Sequence, residues 1–257
     1  MIDLGLNGKV AIITGGSEGL GRAAAEKLAA EGVRVAICAR RKEKLDQAAD
    51  EIRKATNGQV LAYAADVSRA ADCEGLVNAV VAQWGGVDIL LNNAGTSAAA
   101  PFEKVDDETW QSDWELKVMG AVRMSRLVLP HMKKRGGGRI VNMTTVGGKT
   151  PPARSLPTTV TRAAGLNLTK SLANEYAPDN VRVNTICIGL VRSAQIARRA
   201  KGDLEAHYAE LAKQRVPLGR VAHASEFADL FAFLVSERAT YITGTAINFD
   251  GGSGMTV

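Results

Sequence analysis

Gly15, Gly16, Gly19 and Gly21 stand within TGGSEGLG, between an apolar run at residues 10–13 and the helix-forming stretch RAAAEKLAAEG. Such an arrangement suits anion binding. Glycines let the turn approach a ligand closely, and the unpaired N–H groups and dipole of a helix start then face a pyrophosphate. The contact residues expected of this loop are Gly15, Ser17, Glu18, Gly19, Leu20 and Gly21. A loop that merely joins strand to helix would share this composition, and the spacing G-x-x-x-G-x-G differs from the common G-x-G-x-x-G fingerprint. The rest of the chain must therefore supply the discrimination.

Three further sites do so. Arg40 follows the second apolar run about twenty residues beyond the last glycine, where an NAD site usually places an acid on the ribose 2′-hydroxyl. The chain has no acid there, and an arginine can pair with a 2′-phosphate, which points to NADP(H). The other reading of Arg40 is the start of a solvated helix shared with Lys42 and Lys44. Asp66, beside Val67, either accepts from an adenine amino group or caps the helix that begins near Arg69. In DILLNNAG at 88–95, small residues around Asn92, Ala94 and Gly95 let the backbone pass close to a flat ligand.

The elements that must position these residues are legible as apolar runs at 10–13, 33–39, 60–64, 88–91, 139–143, 181–188 and 245–249. They are mostly continuous rather than alternating, as strands buried on both faces are. Helical patterns fill the gaps, at 22–30, 42–55, 69–84, 109–134, 159–176 and 225–235. This βαβ alternation predicts an α/β fold: a doubly wound, Rossmann-type parallel sheet flanked by helices on both faces, with ligands beyond the C-terminal strand ends.

Composition narrows the function classes. A chain of 257 residues suits a single dinucleotide-binding domain over residues 1–257. No apolar stretch is long enough to span a bilayer and the N-terminal residues do not read as a signal peptide, so the expectation is a cytoplasmic protein without membrane association. Cys38, Cys73 and Cys187 share no C-x-x-C spacing and read as buried thiols. The net charge of +5 is spread among acids, and clusters such as Lys133-Lys134-Arg135 and Arg198-Arg199-Lys201 are short, which argues against nucleic acid. His131 and His223 have no carboxylate at useful spacing, and no metal is expected.

TGGSEGLG, ADV, NNAG, GRIVNM, TKSLANEYAPDNVRVNTI, PLGR and YITGTAINFDGG together resemble the classical short-chain dehydrogenase/reductase family, and within it members of the 3-oxoacyl-carrier-protein reductase kind, over nearly the whole chain. The resemblance implies an NADP(H)-dependent oxidoreductase acting on a small-molecule carbonyl or alcohol. It also implies a homo-oligomer, tetramer or dimer, paired through the helices at 109–134 and 159–176 and the last strand. Val191 and Ser193 match family positions that meet the nicotinamide amide and the phosphates, although the usual Pro-Gly before them has lost its proline.

The family's chemistry rests on an Asn, a Ser and a Tyr-x-x-x-Lys pair, and this chain departs at all four. Lys117 stands at the Asn position, Thr145 at the Ser position, and Thr158 and Arg162 at the Tyr and Lys positions. A threonine hydroxyl can still donate to a carbonyl, but it lacks the acidity of a phenol, and a guanidinium can bind ribose hydroxyls without relaying protons. Two readings stay open. The first is a reductase whose substitute proton donor is Lys117, with its pKa lowered by desolvation and by Arg162, or whose Lys117 and Arg162 clamp an anionic substrate group; a surface position for Lys117 would remove both roles. The second is an NADP(H)-binding sensor, scaffold or silent subunit without catalysis. The segment 194–214 is either a polar lid over the site or an ordinary solvated helix.

Overall fold

Residues of β1 (Val10–Thr14) divide alternately between two cores: Ala11 and Ile13 join one, Val10 and Ile12 the other. That division explains why the runs are continuous, since each strand is covered on both faces. The computed structural model describes residues 3–198, 200 and 202–256. Arg199 and Lys201, counted above in a basic cluster, lie outside the described residues.

Six more strands follow: β2 (Arg34–Ala39), β3 (Val60–Ala64), β4 (Ile89–Asn92), β5 (Gly138–Thr145), β6 (Val181–Ile188) and β7 (Ala246–Phe249). They form one sheet of order β3-β2-β1-β4-β5-β6-β7, parallel throughout. Between β1 and β4 the direction of winding reverses, opening the crevice where such folds bind ligands. Helices α1 (Gly19–Ala30) and α2 (Lys42–Thr56) cover one face. The other carries α3 (Ala70–Trp84), then α4 (Asp107–Trp114), a π-helical turn (Glu115–Met119) and α5 (Gly120–Lys134), then α6 (Thr158–Tyr176). Beyond β6 come α7 (Ala194–Ala197), α8 (Leu204–Arg215) and α9 (Ala224–Val235), the last packed on α1.

The expected helix at 109–134 differs in two ways. It starts at Asp107, because Asp106 accepts from the Thr109 N–H at 2.8 Å and caps it. It also widens by one residue at the π turn, a bulge that interrupts the regular ladder and often marks a functional site. His223 does have a nearby carboxylate: Glu226 accepts the His223 backbone N–H at 2.8 Å and pairs with Arg220, so the contact caps α9. No metal-binding cluster occurs among the described residues. The three cysteines are free and buried, and no described helix is long and apolar enough to cross a membrane.

Candidate active site

The loop between β1 and α1 is held open by its neighbours. Gly15 has φ +68°, a left-handed conformation that favours glycine. A Cβ on Gly21 would press on the Gly15 carbonyl and lie 2.6 Å from the Asn93 side-chain nitrogen. Thr14 Oγ1 accepts the Asn93 and Ala94 N–H groups at 2.9 and 3.0 Å, while Asn93 Nδ2 donates to the Thr14 and Gly15 carbonyls at 2.9 and 3.2 Å. The ends of β1 and β4 are thereby fastened together. Helix α1 begins with no side-chain cap at Glu18, so its first-turn N–H groups remain for an outside acceptor.

Glu18 does not cap because its carboxylate is drawn to α2, pairing with Lys44 and with Arg41 at 3.1 Å. The Lys44 hydrogen bond holds the Glu18 carboxyl below its ordinary range. An acid next to an anion cradle would repel its ligand, and these two cations offset that charge. Arg40 is exposed and takes no ion-pair partner among the described residues. Asp66 Oδ1 accepts the Ser68 N–H at 3.0 Å and the Ser68 hydroxyl at 2.7 Å, so one oxygen shapes the turn before α3 and the other is left for a ligand. Val67 is buried against Gly120, where a Cβ would lie 3.0 Å from Val67 Cγ2. The Asn92 side chain turns inward, donating to Asn142 Oδ1 at 2.8 Å, so any ligand contact at Asn92 falls to its backbone.

Beyond β6, Val191 is buried and bridges Ala222, and Ser193 caps α7 through the Ile196 N–H at 3.3 Å. Between them Arg192 forks onto both Glu205 oxygens, at 2.5 and 2.6 Å, and its guanidinium lies 4.7 Å from the centre of the Tyr208 ring. Helix α8 is thus stapled to this loop, with Tyr208 and Ala212 in a small apolar cluster of their own.

Lys117, Thr158 and Arg162 meet on the other side of the crevice. Lys117 lies in the π turn, and its side chain is only 1% exposed. Its ammonium donates to Asp113 Oδ1 and, at 3.1 Å, to Thr158 Oγ1. The Ala98 N–H donates to the same Thr158 oxygen at 2.9 Å. Arg162 donates from Nη1 to the Met143 carbonyl at 2.6 Å, while its buried Nε has no partner. Gly95 makes room for this arginine, since a Cβ there would lie 2.8 Å from Nη2. Thr145, half-buried at the end of β5, keeps its hydroxyl without a protein partner among the described residues. A cavity lined by Thr14, Asn92, Asn142, Lys117, Thr161 and Arg162 lies at these strand ends.

Burial is the largest influence on Lys117, followed by the Arg162 charge; against the opposing pull of Asp113 they bring its pKa down to about 8. Arg162 is lowered by burial to about 10 and stays charged near neutrality. The site therefore holds one group able to exchange a proton near neutral pH and one fixed cation. In the sequence alone Thr14 and Asn93 had no role of their own, and Asp113 was passed over. Asp113 and Lys117 stand four apart, one helical turn, but such spacing more often marks a solvated pair.

The family model described as enoyl-(acyl carrier protein) reductase matches residues 15–254. Human dehydrogenase/reductase SDR family member 4 is 34% identical over 252 residues, covering 96% of this chain and 88% of that protein. L-Sorbose reductase from Gluconobacter frateurii, solved with NADPH and L-sorbose, superposes with a TM-score of 0.97 at 39% identity over 100% of both chains. An NADPH-bound short-chain oxidoreductase from Pseudomonas aeruginosa PAO1, described as containing an atypical catalytic center, gives 0.93 at 35% identity, over 97% of this chain and 98% of that one.

Proposed function

The chain belongs to the short-chain dehydrogenase/reductase family, and on that premise we propose that it is an NADP(H)-dependent oxidoreductase that reduces a carbonyl, or oxidises the corresponding alcohol, at a non-standard site. Structures of two similar proteins hold NADPH. The residues present fit such a cofactor. The uncapped start of α1 and the backbone from Gly15 to Gly21 suit the pyrophosphate, exposed Arg40 suits a 2′-phosphate, and the free oxygen of Asp66 suits the adenine amino group. Val67, the backbone at Asn92, Ala94 and Gly95, and the Val191 and Ser193 loop complete the cradle, with Arg162 toward the ribose hydroxyls. When bound, the cofactor supplies or accepts the hydride at carbon.

The chain's own groups handle the oxygen. Thr145 donates a hydrogen bond to the substrate carbonyl, and Arg162 stabilises negative charge as it develops. Lys117 gives the proton that turns the oxygen into a hydroxyl, with the Thr158 hydroxyl fixed beside it. The observation carrying this reading is the buried Lys117–Asp113 pair. Removing two charges from water costs several kcal/mol per ion before their attraction repays it. A chain relieved of catalysis would have little reason to keep that arrangement in its crevice. Assembly as a homo-oligomer is part of the proposal, supported by exposed apolar Trp114 on α4 and Val160 on α6.

Fluorescence titration with NADPH and NADH, followed by a panel of ketones, ketoses and acyl thioesters, tests this function. NADPH should bind more tightly and be oxidised by at least one carbonyl. Reduction needs Lys117 protonated, so kcat/KM should be level at lower pH and fall about tenfold per unit above about 8. Binding without turnover across the panel would favour the silent reading, and no binding at all would remove both.

A further inference from the structure

We propose that Asp113 is a positioning residue for the reaction, fixing the Lys117 ammonium in its charged form beside Thr158. The inference rests on the reading of Lys117 as proton donor, and it begins from a carboxylate only 3% exposed. Both of its oxygens are engaged. Oδ1 takes the Lys117 ammonium, and Oδ2 takes the Thr161 hydroxyl at 2.7 Å, the shorter of that hydroxyl's two contacts, so the carboxylate is held from the π turn on one side and α6 on the other. A carboxylate with one donor on each oxygen cannot turn away from its lysine.

The consequence reaches Thr158. Its oxygen accepts from Lys117 and from the Ala98 N–H, which occupies both lone pairs and leaves the hydroxyl hydrogen to donate elsewhere. Asp113 therefore orders the ammonium and, through it, the direction of the neighbouring hydroxyl. The charged groups facing Lys117 are Asp113 from α4 and Arg162 from α6. Burial and Arg162 both drive the ammonium toward its neutral form, and Asp113 is the opposing charge. An amine without its proton cannot act as the acid in carbonyl reduction.

A helix staple with no part in the reaction would lose stability and shift the titration of Lys117 when cut, but would leave the alkaline limb of kcat/KM where it was. The test is a pH titration of lysine side-chain carbon-13 resonances in the cofactor-free protein, with Lys117 identified by its absence from Lys117→Met. The midpoint should lie near 8 in the natural protein and at least one pH unit lower in Asp113→Asn. In Thr161→Val it should rise, because the carboxylate left behind after deprotonation has lost its other donor. The alkaline limb of kcat/KM should follow in both variants. If Asp113→Asn fails to fold, Thr161→Val, which keeps both charges, carries the test. Unmoved midpoints in the folded variants, or midpoints that move without the alkaline limb of kcat/KM, would overturn the inference, even if Lys117→Met is inactive and the proton-donor reading stands. Midpoints that move while Lys117→Met keeps its turnover would instead overturn the donor role on which the inference rests.

Discussion

The two walls of the crevice are built on opposite principles. The wall around the glycine loop is made mostly of backbone, with its charges at the rim: Thr14 and Asn93 satisfy main-chain groups across β1 and β4, and the charge of Glu18 is offset by Arg41 and Lys44. The facing wall, from the π turn to α6, is made of side chains and charge, with a buried lysine and carboxylate and a half-buried arginine. Backbone cradles are specified by space and conformation, so they tolerate changes in the groups around them. Charged clusters depend on each member, because removing one leaves another buried without compensation. One wall is suited to holding a ligand by shape, the other to changing its protonation.

Lys117→Met should sharpen this division most. Loss of a positioned general acid lowers turnover by about 10²–10⁴-fold, and the fluorescence titration should give the same NADPH affinity as the natural protein. A parallel loss of nucleotide binding would show that the two walls are not independent. Arg40→Ala probes the opposite wall. With a hydrogen bond to a charged group worth about 1.5–3 kcal/mol, NADPH binding should weaken about ten- to a hundredfold while NADH binding holds, as read by competitive titration. Equal losses for both nucleotides would break the assignment of Arg40 to the 2′-phosphate. The smallest effect is expected for Thr14→Val, which removes the acceptor of two N–H groups at the lip of the cradle. Denaturant unfolding should show a loss of about 1–3 kcal/mol, and an unchanged midpoint would mean that water replaces the hydroxyl.

The glycine loop and the parallel, doubly wound sheet followed from local pattern. Ala11 and Ile13 against Val10 and Ile12 show why a continuous run reads as a two-faced strand, and the positive φ of Gly15 shows why the turn contains glycine. The alignment of motifs also located Lys117, Thr158 and Arg162, which the tertiary structure brings together. Asn92 was less transparent, because which of two adjacent asparagines faces the loop depends on the twist of β4 and on Asn142 across the sheet.

Residue types and spacings by themselves determined the parallel α/β fold and the place of the glycine-rich turn, because periodicity and glycine placement act within a few residues of chain; Lys117, Thr145, Thr158 and Arg162 were singled out only by the resemblance to the family. Only the tertiary structure decided that Asp113 and Lys117 form a buried pair rather than a solvated one. That outcome depends on α6, forty residues and more away in the chain, setting Thr158, Thr161 and Arg162 against the π turn. Burial fixes the energy of a charge, and no local spacing records what will cover it.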